Sequence, residues 1–317
     1  GFERQHVSMT QELETKDGSV ASAHPADAQG KPAVSGHQGK PKQHDKVTRM
    51  GTESIPRLIT EFAVPSILGM LVNGAYNVID SIFLGQAMGE IGLSTATVAM
   101  PIMTVFMAIA MLVGNGGNAL AALRMGEGKP EEAERSLGNT VTLSLIASVV
   151  VAIAMFIPPC INALLGVSGA TPEDWDYAMQ FIRIISLGFI FQCIGMGVNN
   201  FIRTAGAPNR ALGTMIIGAV ACTVFNALFV LVMGMGVVGS ALATVCGQAI
   251  SCATVLWYFC LTKGVPMRLH LHMMPLHGET VRLILSLGLA SFAVQAGMAA
   301  VNFVLNNLLN MYGAQSP

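Results

Sequence analysis

One aspartate stands inside an apolar stretch of the sequence. Asp80 follows Asn73 and Asn77 by seven and three residues, which places the three side chains on one face of a helix, and Tyr76 adjoins them. Neither lipid nor an apolar core satisfies such a polar stripe, so it must face other helices or a water-filled cavity. The stripe predicts a carboxylate that takes up a proton or binds a cation such as sodium. Two structural readings stay open: a carboxylate held by hydrogen bonds, and a helix end that reaches water.

Uncharged polar residues recur at helical spacing in other apolar segments. Gln192 and Asn199 lie seven residues apart, and Gln248 follows Thr244 by four. Single residues of this kind often join helices through hydrogen bonds, but stripes in several segments favour a central cavity. The 20 methionines suit an adaptable apolar lining. The predicted cavity residues are Asn73, Tyr76, Gln192, Asn199, Gln248, Gln295 and Asn302.

Several chemistries lack their residues in this sequence. None of the seven histidines falls in an apolar segment, which excludes a buried HExxH zinc site or a Ser–His relay, and no P-loop motif for ATP occurs. The net charge of −1 gives no basic excess for nucleic acid. The six cysteines form no CxxC pair and are expected to be reduced thiols. We therefore expect no enzyme activity, no cofactor and no resident metal, and we expect energy from an ion gradient or a separate ATPase subunit.

The composition indicates the environment of these residues. Of 317 residues, 52% are hydrophobic and 11% are charged, whereas soluble globular proteins carry roughly 25% charged residues. Runs without any charge cover residues 136–172, 211–262 and 283–317, and a helix needs roughly 20 apolar residues to cross a bilayer. The predicted fold class is therefore an all-α polytopic membrane protein, with the lipid bilayer as a partner.

Seven apolar segments, mostly separated by Gly or Pro, are predicted to span the bilayer. Before them, residues 1–55 are polar and contain one aromatic residue, which predicts a disordered tail within which Met9 fits a start residue. The predicted spans are Ile59–Leu84, Ile91–Leu123, Leu137–Leu165, Tyr177–Ile202, Leu212–Met233, Val237–Leu261 and Leu283–Tyr312.

The basic residues predict the orientation. Lys and Arg occur in the loops after the second, fourth and sixth spans, for example Arg124, Arg203 and Lys263, and the loops after the first, third and fifth spans hold none. Loops rich in Lys and Arg face the cytoplasm. The N-terminal tail is therefore predicted to be cytoplasmic.

The first and seventh spans resemble each other weakly. At one common offset, Ser66 aligns with Ser291 and Asn77 with Asn302. This match suggests that the seventh span opens a second copy of a six-span unit, with both copies starting on the same side. We therefore expect a fragment rather than a complete seven-span protein.

Four segments resemble, in order and spacing, the MATE (multidrug and toxic compound extrusion) transporters. Residues 65–85, PSILGMLVNGAYNVIDSIFLG, resemble their first helix, and residues 114–135, GNGGNALAALRMGEGKPEEAER, resemble their loop between helices two and three. Residues 199–209, NNFIRTAGAPN, are similar to the end of helix four, and residues 234–248, GMGVVGSALATVCGQ, to the start of helix six. The resemblance covers residues 55–317 and points to the bacterial drug-exporting branch.

The resemblance implies a twelve-helix fold in two six-helix lobes with a cavity between them. On that basis, residues 56–265 form the N-lobe with helices 1–6, and residues 266–282 form a cytoplasmic linker between the lobes. Residues 283–317 would be helix 7, the start of an incomplete C-lobe whose other helices are presumed to belong to the full-length chain.

The resemblance also implies roles for single residues. Asp80 corresponds to the helix-one aspartate that many members use for ion coupling, Asn226 corresponds to the helix-five asparagine near it, and Asn77 of the polar stripe joins them. Many members carry an aspartate four residues after that asparagine, where this chain has Val230. The ion site is therefore expected to rest on Asp80 with neutral partners, or to be weakened. Pro65 is the predicted hinge of helix one.

The implied function is an antiport of cationic, apolar drugs against protons or sodium ions, by alternating access, in a bacterial inner membrane. One alternative is a lipid-linked precursor flippase of the same superfamily. Such a flippase often carries more cationic residues in its cavity, and the sequence offers only Arg183. The other alternative is a non-transporting fragment or interaction protein.

Overall fold

The structure is a computed structural model that describes residues 55–262, 265, 267–270 and 274–313. The predicted disordered tail lies outside the described residues except for its last residue, Ile55. Every regular element in the described ranges is helical, and the predicted all-α class is therefore confirmed.

The first long helical stretch, Ile55–Gly126, is two helices joined at Gly89. Gly89 has a φ of 61° and a ψ of −135°, a conformation that glycine adopts at little cost because it has no Cβ. Helix α1 comprises residues 55–88 and helix α2 comprises residues 90–126. The break falls in the predicted interval between the first and second spans.

The other helices follow with short connections between most of them. Two π-helical segments, Cys193–Val198 and Ala227–Val232, join α5 to α6 and extend α7. The remaining α-helices of the described ranges are α3 (Pro130–Phe156), α4 (Pro158–Val167), α5 (Trp175–Gln192), α6 (Asn199–Thr204), α7 (Pro208–Asn226), α8 (Gly236–Leu261) and α9 (Gly278–Gly313).

The third predicted span, Leu137–Leu165, is wrong as a single helix. Ile157 leaves the helical conformation, with a φ of −80° and a ψ of 116°, and α4 begins at Pro158. Pro158 and Pro159 have no N–H to continue the hydrogen-bond ladder, and a proline disfavours helical backbone in the residue before it. The segment therefore divides into α3 and the shorter α4.

Six helical stretches of the described residues are long and apolar enough to cross a membrane. The predicted first span, Ile59–Leu84, is helical but is not among the six, and within it Ala63–Val72 forms a shorter apolar helix. Large apolar side chains such as Val150 and Trp257 are more than half exposed, as a lipid-facing surface requires. The six stretches are Met88–Gly126, Pro130–Phe156, Trp175–Thr204, Pro208–Val232, Gly236–Leu261 and Gly278–Leu308.

Helix α2 approaches two neighbours at backbone distance. A Cβ added to Gly114 would overlap the Cα of Gly197, in the π-helical segment after α5. On the side of α9, a Cβ added to Gly288 would overlap the backbone carbonyl of Leu112. Small residues permit such close packing of membrane helices, where the driving force is van der Waals contact rather than the exclusion of water. Helix α2 therefore packs directly against both the π-helical segment after α5 and helix α9.

The described residues between α8 and α9 pack against α3. The backbone N–H of Arg268 donates to Glu134 Oε1 at 2.8 Å, and the N–H of His277 donates to Asn139 Oδ1 at 3.0 Å. Met267 is fully buried beside them. Helix α9 begins at Gly278, inside the predicted linker 266–282 and five residues before its predicted start at Leu283.

The contact between α2 and the π-helical segment yields a stability prediction. We expect Gly114→Ala to destabilise the protein by about 1–3 kcal/mol, because the new methyl group must push two backbones apart. Gly197→Ala should be milder, since its Cβ would lie 3.2 Å from the Cα of Gly114. Thermal unfolding of the purified variants in detergent measures the difference. Gly213→Ala is the control, because a Cβ there meets nothing within 4 Å; equal stability of Gly114→Ala and Gly213→Ala would contradict the prediction.

Candidate functional site

The carboxylate of Asp80 joins three helices. Its Oδ1 accepts one hydrogen bond from Asn226 Nδ2 and another from Ser240 Oγ, each at 2.9 Å. Asn226 is the last residue of α7, Ser240 lies near the start of α8, and both side chains are buried. The two hydrogen bonds therefore hold α1 against α7 and α8 near Asp80.

Two oxygen atoms of this cluster have no donor among the described residues. Both hydrogen bonds to Asp80 reach Oδ1, which leaves Oδ2 without a described hydrogen bond. Asn226 Oδ1 is buried and likewise has no described partner. Oxygen atoms are acceptors for protons and ligands for hard cations, and buried acceptors are rarely left unpaired. The cluster can therefore take up a proton or a small cation.

The described partners of Asp80 are uncharged. Val230, which stands where the resemblance leads one to expect a second carboxylate, is buried in the π-helical segment after Asn226. Asn226 also approaches Cys222 Sγ, at 3.6 Å from its Nδ2. The side chains of Asn73, Tyr76 and Asn77 lie outside the described part, although their backbone belongs to α1. The predicted role of Asn77 beside Asp80 stays a prediction.

A cavity of about 340 Å³ lies between α1, α2, α7, α8 and the region from Gly195 to Arg203. Five methionines and several polar side chains line it, which gives an adaptable apolar wall with a few polar points. Asp80 does not line this cavity, but its partner Asn226 contacts Cys222, which does. The lining comprises Met70, Val72, Met107, Met111, Asn115, Gly195, Met196, Asn199, Asn200, Arg203, Met215, Gly218, Ala219, Cys222, Thr244, Gly247, Gln248 and Ser251.

Asn199 and Gln248, among the predicted cavity residues, line this cavity. Asn199 also uses its Nδ2 to hold α6 against α7, donating to Thr214 Oγ1 at 2.6 Å and to the carbonyl of Ala211 at 3.1 Å. Oε1 of Gln248 is buried without a described partner.

Gln192 lies outside the lining, although it was expected on the same face as Asn199. The spacing of seven residues corresponds to one face only if the helix is α-helical throughout. The π-helical segment Cys193–Val198 lies between the two residues and turns the chain more slowly, so the side chains point to different faces. Gln295 and Asn302, on α9, are half-buried and also lie outside the lining.

Ser240 and Arg203 are not among the residues that the sequence predicts for the site. Ser240 precedes Thr244 by four residues, so extending the stripe of Thr244 and Gln248 by one helical turn would have found it. Arg203 falls in a predicted basic loop, but α6 continues to Thr204 and brings the guanidinium to the cavity.

A polar network connects α2, α6 and α9 beside the cavity. Asn200 Nδ2 donates to Asn115 Oδ1 at 2.8 Å, and Asn115 Nδ2 donates to Ser291 Oγ at 3.1 Å. Farther along α9, Asn306 donates to the carbonyl of Thr97 at 3.0 Å. These hydrogen bonds hold α9 against α2 in addition to the close backbone packing between the two helices.

Comparison with known proteins identifies similar transporters. The MatE family profile matches residues 65–228. Multidrug export protein MepA of Staphylococcus saprophyticus is 23% identical over 261 residues, which cover 82% of this chain and 57% of MepA. Probable multidrug resistance protein YpnP of Bacillus subtilis is 26% identical over 254 residues, which cover 78% of this chain and 55% of YpnP.

A solved transporter structure is also similar to this chain. The structure of the MATE multidrug transporter DinF-BH in complex with rhodamine 6G superposes with a TM-score of 0.78 and 35% sequence identity, over 83% of this chain and 58% of that chain. The chain spans little more than half the length of these relatives.

The Asp80 cluster yields a second stability prediction. Ser240→Ala removes one of the two donors to Oδ1, and a hydrogen bond to a charged group contributes about 1.5–3 kcal/mol. We expect Ser240→Ala to lower the stability measured by thermal unfolding in detergent by this amount. In a protein that already carries Asp80→Asn, the same substitution should lower the stability less, because the acceptor is then uncharged.

A double-mutant cycle over the wild type, Ser240→Ala, Asp80→Asn and the double variant measures the coupling. Ser286→Ala is the matched control, since Ser286 is exposed on α9. If the losses from Ser240→Ala and Asp80→Asn simply add, the hydrogen bond does not contribute as described.

Proposed function

This chain belongs to the MATE family of multidrug transporters, and on that premise we propose that it takes part in exporting cationic, apolar drugs in exchange for protons or sodium ions. The family is one of multi-pass membrane transporters, not of enzymes. The observation that most supports the proposal is the Asp80 cluster. It combines one carboxylate, two neutral donors and two oxygen atoms without described donors.

In the proposed mechanism, the coupling ion binds where acceptors outnumber donors. A proton adds to the carboxylate of Asp80, or a sodium ion binds between its Oδ2 and Asn226 Oδ1. Either event reduces the negative charge that holds the N–H of Asn226 and the O–H of Ser240, because hydrogen bonds to charged groups are roughly twice as strong as neutral ones. Ion uptake therefore loosens α1 from α7 and α8.

Helix α1 is the element that moves in this proposal. Its outward side chains, such as Val64, Ile67 and Leu71, are more than half exposed, so little packing opposes a displacement there. Pro65 lies inside the helix and removes one backbone hydrogen bond, which makes a bend near it inexpensive. Bending of α1 changes the wall of the methionine-lined cavity, to which α1 contributes Met70 and Val72. Substrate then leaves outward, and alternating access returns the cavity to the cytoplasm.

The cavity supports a drug-sized, largely apolar substrate. Its five methionines present flexible and polarizable side chains, which suit ligands of varied shape. The similar transporter DinF-BH was solved in complex with rhodamine 6G, and we extend that substrate class to this chain.

The proposal places the protein in a bacterial inner membrane with its N-terminus in the cytoplasm. The alternation of basic loops along the chain supports this orientation. Residues 56–265 would act as one lobe, and α9 would begin the second lobe of a two-lobe transporter. A flippase of this superfamily often carries several cationic residues in its cavity. The described lining holds one, Arg203, which argues against the flippase alternative.

Replacing Asp80 tests the ion coupling. In bacteria that lack their own drug exporters and express this gene, we expect Asp80→Asn to reduce ion-driven ethidium efflux to the level of cells without the gene, because the carboxamide cannot take up the coupling ion. Ethidium fluorescence is followed after imposing a pH gradient and, separately, a sodium gradient. The gradient that drives efflux in the wild type identifies the ion.

Asp176→Asn is the control, since this carboxylate is exposed in the first turn of α5. Membrane levels of all variants are compared by immunoblot. Undiminished coupled efflux by Asp80→Asn would reject the assignment, and the absence of efflux from wild-type cells with normal membrane levels would favour the non-transporting alternative.

A further inference from the structure

Arg203 brings a positive charge to the wall of the methionine-lined cavity. The residue lies in the last turn of α6, is half-buried and lines the cavity together with Asn200, one helical turn before it. Its Nη2 donates to Met215 Sδ at 3.4 Å, and a Cβ added to Gly69 of α1 would lie 3.3 Å from the same nitrogen. The guanidinium is therefore held between α1 and α7.

The charge of Arg203 has no counter-charge among the described residues. None of its described contacts is an ion pair, and the described lining of the cavity includes no Asp or Glu. A thioether sulfur is a weak acceptor, so most of the five N–H donors of the guanidinium stay available. Partial removal of a cation from water without a paired anion is unfavourable, and this favours a ligand that brings the anion.

The other lining residues indicate the chemistry of such a ligand. Methionines from α1, α2 and α7 provide apolar contact, while Arg203 offers a planar fork of donors that matches a carboxylate or phosphate. Asp80, the carboxylate proposed for the coupling ion, does not line the cavity and so does not cancel this charge by contact. The cavity wall is thus electropositive at one point and otherwise neutral.

We propose that Arg203 binds the anionic group of an amphiphilic substrate, and so determines how strongly the cavity binds substrates that carry a carboxylate or phosphate. The inference rests on the proposed function only in treating the cavity as the drug site. It does not depend on ion coupling at Asp80, and it assigns a specificity-determining role to one residue of the cavity.

A matched pair of dyes tests the proposal. Rhodamine 6G is a cationic ethyl ester, and hydrolysis of the ester gives a free acid with the same ring system and one carboxylate. Binding of each dye to the 317-residue chain in lipid nanodiscs is measured by fluorescence anisotropy, with empty nanodiscs subtracted. No ion gradient is needed, so a failure of the coupling mechanism leaves this measurement intact.

We expect Arg203→Gln to weaken binding of the free acid by about tenfold or more, the effect of losing a charge-assisted hydrogen bond, and to leave binding of the ester unchanged or stronger. Arg203→Lys should retain part of the binding of the acid, because it keeps the charge without the fork. Arg210→Gln is the control, since the guanidinium of Arg210 lies over the ring of Tyr258 and is not part of the lining.

Three results would overturn the proposal. The first is a wild-type chain that does not bind the free acid. The second is an equal loss of both dyes in Arg203→Gln, which shows that the residue only shapes the cavity. The third is an unchanged preference in Arg203→Gln, which shows that the guanidinium does not bind the carboxylate of the dye. Thermal unfolding of each variant confirms that it is folded before binding is compared.

Discussion

A polar side chain inside a lipid-facing bundle has no water to bind, and this constraint decides where the chain places its few polar groups. Asp80 is held by the amide of Asn226 and the hydroxyl of Ser240, and Asn115 connects α6 to α9 through Asn200 and Ser291. Each bond satisfies a donor and at the same time fixes one helix against another. The acceptors that stay without a described donor are therefore exceptional, and Asn226 Oδ1 lies beside the one intramembrane carboxylate that the sequence singled out.

Close backbone packing supplies the frame in which these bonds form. Gly114 and Gly288 bring α2 against the π-helical segment after α5 and against α9, so α2 serves two neighbours at once. Helix α1, in contrast, is attached to α2 through the turn at Gly89 and to α7 and α8 through Asp80. A helix that is joined to its neighbours through a carboxylate is an arrangement in which a small change of charge can produce a movement.

Much of the fold followed from the sequence because apolar length and charge distribution report directly on membrane helices. Most of the helices and the break at Gly89 agree with expectation. Asn226 donates to Asp80, and the family resemblance also places these residues near each other, but their role in ion coupling stays a prediction. The division of the third span at Pro158 was missed, although the local proline rule was sufficient to find it. Arg203 was missed because the extent of a helix beyond its apolar run is set by tertiary packing, which composition does not report.

The π-helical segments have a consequence for how this bundle can vary. Cys193–Val198 separates Gln192 from Asn199, and Ala227–Val232 begins directly after Asn226. A π turn accommodates an additional residue within a helix whose ends stay in place, so the side chains before and after it follow separate registers. Insertion or deletion of a single residue there would rotate one half of the helix about its axis while the other half kept its facing. Such a change exchanges a whole set of lining residues in one step, which no series of point substitutions at the wall can do.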